Sequence, residues 1–108
     1  MHELAIAENV VSSVLERTDG RVSVVRLRVG QLSGVVPDAL TFCFEIATMG
    51  TALEGAVLEI EEQRGRAHCR SCGEEFSMED AFLLCPCGSA DVQLLAGREL
   101  SVTSVQVA

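Results

Sequence analysis

Four of the chain's five cysteines fall within nineteen residues, as two close pairs, Cys69 with Cys72 and Cys85 with Cys87, separated by twelve residues. Thiolates at that spacing converge on one tetrahedral Zn²⁺ at about 2.3 Å each. Gly73 follows the first pair and Gly88 the second. Glycine there lets the chain turn under a metal so that backbone N–H groups point at the sulfurs. Cys85 and Cys87 are separated only by Pro86, and residues i and i+2 of an extended segment point the same way. Closing both onto one ion takes a tight turn, so His68 stands as a reserve ligand. The competing readings are a disulfide pair and inert buried thiols.

With 108 residues the chain buries only a modest core, which a structural metal would supplement. The pattern on either side of the cysteines is mixed. Leu4, Ala7, Val10, Val11, Val14 and Leu15 recur at helical spacing, with Glu3, Glu8, Ser12 and Glu16 outside or at the edges. Asp19-Gly20 ends that helix. From Arg21 to Gly30, Val25, Leu27 and Val29 alternate with Arg26 and Arg28, the pattern of a half-buried strand. Pro37 and Asp38 open a second helix, whose buried stripe is Leu40, Cys43, Phe44 and Ala47. Cys43, remote from the other cysteines, is expected to be a core thiol. Residues 56–63 form a second strand and residues 98–107 a third. The apolar parity of the third changes between Val102 and Val105, so a bulge or a change of buried face is expected there.

The expected fold is α+β: two helices packed on a three-stranded sheet, with a zinc-ribbon insert between the second and third strands. Residues 1–64 and 98–108 would make one domain and residues 65–97 the zinc-binding one, with 64–67 and 95–98 as hinges.

A net charge of −8 argues against nucleic acid, which selects basic surfaces. Within residues 66–91, Arg66 and Arg70 face Glu74, Glu75, Glu79, Asp80 and Asp91. The charge suits a basic partner or a cationic cargo. No apolar run approaches the roughly 18 residues of a membrane span, and no basic stretch leads into a long apolar one, so a cytoplasmic protein is expected. In the cytosol, paired cysteines hold metal more often than they form disulfides.

The first three residues carry a second chelating pattern. The Met1 α-amine, the deprotonated amide nitrogen of His2 and its imidazole can bind one metal in fused rings. Three in-plane nitrogens with a fourth, exchangeable position suit Ni(II) or Cu(II). Glu3 would supply an oxygen or orient the imidazole. The imidazole and the amine bind only when neutral, so acid releases the metal. A solvated, idle surface histidine is the plain alternative.

Met1-His2-Glu3-Leu4, Gly30-Gln31-Leu32-Ser33, Pro37-Asp38-Ala39-Leu40, Cys-x2-Cys and the later Cys-Pro-Cys-Gly-Ser together resemble the HypA/HybF family of hydrogenase maturation factors, over essentially the whole chain. The resemblance implies a nickel metallochaperone that carries Ni(II) to the large subunit of [NiFe]-hydrogenase, works with a HypB-type GTPase and, in some organisms, also serves urease maturation proteins. It implies nickel at His2 with nearby backbone nitrogens and a contribution from Glu3, and structural zinc at Cys69, Cys72, Cys85 and Cys87. It associates Asp38 with nickel only weakly, since the helix dipole alone explains an acid there. One departure stands out: the family's second pair is Cys-x2-Cys, and here a residue is missing.

Other classes fit less well. No nucleophile with its base and no phosphate-binding glycine loop is evident, so an enzyme is not expected. A thiol-disulfide enzyme would open a helix with its Cys-x2-Cys, and here the pair lies between strand segments. The remaining alternative is a zinc-ribbon interaction module without metal delivery. Monomer and homodimer both remain open.

Overall fold

The computed structural model describes residues 2–78 and 82–108. Its elements run α1 (Glu3–Arg17), β1 (Val22–Gly30), α2 (Pro37–Ala47), β2 (Val57–Gln63), β3 (Arg66–Cys69), β4 (Glu75–Ser77), β5 (Val92–Ala96) and β6 (Leu100–Val107). They make two sheets, ordered β2-β1-β6 and β4-β3-β5. The first, with both helices, is the α+β unit expected. The second is the ribbon inserted between β2 and β6.

β1 is the centre of the larger sheet. It pairs in parallel with β2, with α2 as the crossover, and antiparallel with β6. Its alternation is that of the sequence: Val25, Leu27 and Val29 are buried, while Arg26 and Arg28 turn outward to Glu59 and Glu61 of β2. Val25 sits between Leu58 and Val105, and Leu27 between Ile60 and Val102. Thr103 is the extra residue between the last two β6 positions named. Of the two expectations, a bulge or a change of buried face, the bulge is the one present, and it keeps Val102 and Val105 on the helix side.

The helices supply the other half of the core. Ala7, Val10, Val11 and Val14 of α1 meet Leu40 and Phe44 of α2 over β1, with Cys43 and Ala47 packed at the margin. Three positions of α1 depart from the expected pattern. Leu4 and Leu15 are exposed, whereas Glu3, expected outside, is buried at 7% exposure. Leu53, in the turn after α2, is fully buried and belongs to no periodic pattern.

The molecule spans 52 × 24 × 17 Å with a radius of gyration of 16.9 Å. A single compact body of this length would have about 13 Å. The excess comes from the ribbon standing off the α+β unit. Residues 31 and 32 hydrogen-bond to the stretches expected to be hinges or to the residue just before them. Leu32 N donates to Gly97 O at 2.6 Å, Gln31 N to Gln63 O at 2.8 Å, and Gly65 N to the Gln31 side chain at 2.7 Å. Gly97, at φ +125°, lies so close to Gly65 that a Cβ would come within 2.8 Å of its Cα. A larger residue fits neither that backbone conformation nor that space.

Candidate metal centres

The ribbon carries two turns, each closed by a glycine amide on the carbonyl of a cysteine. Cys69 ends β3, and Gly73 N returns to Cys69 O at 2.9 Å. Gly88 N returns to Cys85 O at 2.8 Å. Gly73 and Gly88 both have positive φ, +82° and +98°, as the turns require. Amides then point at sulfur: Cys72 N lies 3.5 Å from Cys69 Sγ, and Cys87 N lies 3.4 Å from Cys85 Sγ. Arg70 joins the turns to β5 through Asp91, and the Ser71 and Ser89 hydroxyls meet at 2.9 Å. Pattern reading passes over that serine pair. Its signal is a serine two residues after Cys69 and two after Cys87.

All four sulfurs lie within 4.8 Å of one another, with Cys69 to Cys87 at 3.8 Å and Cys72 to Cys85 at 3.6 Å. Four thiolates at about 2.3 Å from a tetrahedral Zn²⁺ stand about 3.8 Å apart, so the cluster has the size that zinc needs. These separations are far beyond a disulfide bond of about 2.05 Å, and all four cysteines are free. The shortened Cys85-Pro86-Cys87 pair brings both sulfurs into the group. His68, alternating with Cys69 along β3 and paired with Glu75 and Gln93, is not among the gathered ligands.

The thiols are unequal. The Cys72 amide, with that of Ser71, lowers Cys69 to about 6 against the effect of burial. Cys85 is opposite: the Cys87 amide lowers it, but burial and the other three sulfurs outweigh that and push it up to about 12. Cys72 is also raised, since desolvation and the Cys69 and Cys87 sulfurs outweigh the Glu74 amide. A cluster in which Cys69 ionises easily while Cys72 and Cys85 resist ionising is one that a dication would complete.

The second candidate lies at the head of α1. Met1 falls outside the described residues. His2 is the N-cap, its side chain 58% exposed, and its carbonyl accepts the Ile6 amide at 2.9 Å. The His2 amide precedes the helix, where N–H groups have no intrahelical partner, so a metal there would break no helical bond. Glu3 Oε2 is 3.9 Å from His2 Nε2 and accepts the Val36 amide at 3.4 Å. Glu3 therefore faces inward to the start of α2. Val36 lies outside any pattern pointing at the first three residues.

Fold and site together define a two-unit protein: a helix-covered three-stranded sheet carrying a ribbon whose four cysteines are placed to hold a metal. The family described as "Hydrogenase/urease nickel incorporation, metallochaperone, hypA" matches residues 1–107, and the chain belongs to this HypA family. Relatives called hydrogenase maturation factor HypA include that of Nostoc sp., 46% identical over 99% of this chain and 96% of the relative. That of Geobacter metallireducens is 47% identical over 99% of each. That of Streptomyces avermitilis is 50% identical over 97% of this chain and 86% of its own length. The solution structure of the Ni metallochaperone HypA from Helicobacter pylori superposes with a TM-score of 0.68 over 99% of this chain and 97% of that one. At 18% identity, that likeness speaks for the fold.

Proposed function

We propose that the protein binds Ni(II) at its N-terminus and delivers it for [NiFe]-hydrogenase maturation, as a carrier and not as an enzyme. The observation that carries the proposal is His2: an exposed imidazole at the head of α1, beside Glu3, in a chain matched along its length by a nickel-incorporation family. The Met1 amine, the His2 amide and the His2 imidazole would bind the ion. Glu3, tied to Val36, would hold the imidazole's side of the site and not move with the cargo. A site of three nitrogens leaves a position open to a recipient, which suits an ion that must be given away.

Zn(II) at Cys69, Cys72, Cys85 and Cys87 would be structural: four protein ligands leave no open position for chemistry. The ribbon, residues 65–97, then works as a rigid unit beside the nickel domain of residues 1–64 and 98–108. The partners that follow are a HypB-type GTPase and the hydrogenase large subunit in the cytoplasm, with urease maturation proteins where urease is made.

Calorimetry with Ni(II) on untagged, zinc-loaded protein tests this. Wild type should bind about one ion per chain and His2→Ala should not. Equal binding by both would place nickel elsewhere and end the proposal.

A further inference from the structure

α2 has two faces. Leu40 and Phe44 are buried on the inner one. On the outer one, Phe42 and Ile46 follow at i and i+4, and Met49 at i+7 in the turn that closes the helix. They are 64%, 46% and 68% exposed. Helices of soluble proteins place polar residues on that side. Single exposed apolar residues are ordinary, but three large ones in one row mark an interaction surface.

The charges around this ridge say what covers it. Asp38 lies four residues before Phe42, and Glu45 four before Met49, so both acids share its face. From residue 29 to residue 63 the chain has six acidic residues and no Lys or Arg. Glu59 and Glu61 of that stretch are matched by Arg26 and Arg28 across the sheet. Asp38 and Glu45 have no basic neighbour in α2 itself. A second copy of this chain would bring acid against acid, which costs affinity.

We infer that the outer face of α2 docks another protein, one that offers an apolar groove for Phe42, Ile46 and Met49 with Lys and Arg at its rim. Phe42, the first residue of the ridge, lies six residues past Val36, about 9 Å along α2 from the residue that Glu3 holds. This inference rests on the carrier proposal, which supplies the probes below.

The test measures binding of the zinc-loaded protein to two purified probes, the HypB-type GTPase and the hydrogenase large subunit of the same organism. Phe42→Ser and Met49→Ser should each weaken binding to at least one probe by about tenfold or more. Glu45→Lys should slow association and blunt its salt dependence. Leu95→Ser, which removes an exposed apolar residue from β5 of the ribbon, should change nothing. Phe42→Ser should still bind one Ni(II), so its effect is separable from failure of the nickel site. Wild type binding neither probe, serine variants binding as wild type, loss of nickel in Phe42→Ser, or conversion of a dimer to a monomer by Phe42→Ser would each overturn the inference.

Discussion

A single carboxylate oxygen of Glu3 lies between the imidazole of His2, at 3.9 Å, and the backbone amide of Val36, at 3.4 Å. Val36 is the N-cap of α2, and its carbonyl receives the first bond of that helix, from Leu40 N at 3.0 Å. An anion at a helix N-terminus is favoured by the helix dipole. One buried side chain thus fixes the exposed His2 imidazole against the start of a different helix.

This contact should be pH-dependent in a definite sense. The Val36 amide first, and then its own amide, hold the Glu3 carboxyl below the usual glutamate value. A group lowered in the folded state contributes stability that is fully present above its unfolded pKa, about 4.3, and is lost as pH falls through the lower folded value. The Val36 amide resonance should therefore titrate with a midpoint below about 4.3, and Glu3→Gln should abolish that titration. A midpoint at or above the usual value would mean that the carboxylate is not held there.

Much of the architecture was legible because its residues obey a period. Val25, Leu27 and Val29 alternate with arginines, and the broken parity between Val102 and Val105 marks the bulge at Thr103. The cysteine spacing foretold a cluster that the fold then brought to within 4.8 Å. Glu3 was not legible, because charge argued for the surface while its partner was a main-chain amide 33 residues away. The Gly30, Gly65 and Gly97 crossing also has no signature, since close approach of three separate segments exists only in the folded chain.

Loading zinc into metal-free protein should release protons in proportion to the thiols still protonated. At pH 7, Cys69 at about 6 is already mostly ionised, whereas Cys85 at about 12 and Cys72, raised above the ordinary value, are not. At least about two protons should therefore leave per zinc bound. Calorimetry in buffers of different ionisation enthalpy counts them. Zinc affinity should fall by about a hundredfold or more per pH unit as acid is added. Release of one proton or none would contradict Cys72 and Cys85 both being held protonated by burial and the neighbouring sulfurs.

Leu53 should prove as costly to truncate as a residue of the helical stripe. It is fully buried in the core cluster although it sits in a turn, and Leu40 of α2 is equally buried. Leu53→Ala and Leu40→Ala should each lose about 2–5 kcal/mol in urea unfolding, from lost transfer and the cavity left behind. A Leu53→Ala loss under about 1 kcal/mol would mean that the turn collapses to fill the space.

The junction between the two units should be the least tolerant point of the main chain. A Cβ at Gly30 would lie 2.1 Å from Gly97 O and 2.7 Å from Arg98 N, and both are backbone atoms that no rotamer change can move. Gly30 N also donates to Glu99 O at 2.7 Å, so relief would separate β1 from the segment leading into β6. Gly50 offers the contrast: nothing lies within 4 Å of its added Cβ, and only its positive φ of +78° opposes alanine. Gly50→Ala should cost about 1 kcal/mol. Gly30→Ala should cost roughly 3 kcal/mol or more, with the larger share from displaced backbone. Thermal unfolding of the two variants, with zinc bound, measures the difference. Equal losses would show that β1 and the Gly97 segment can part without strain, and the ribbon would then be loosely tethered and not held by the three-glycine crossing.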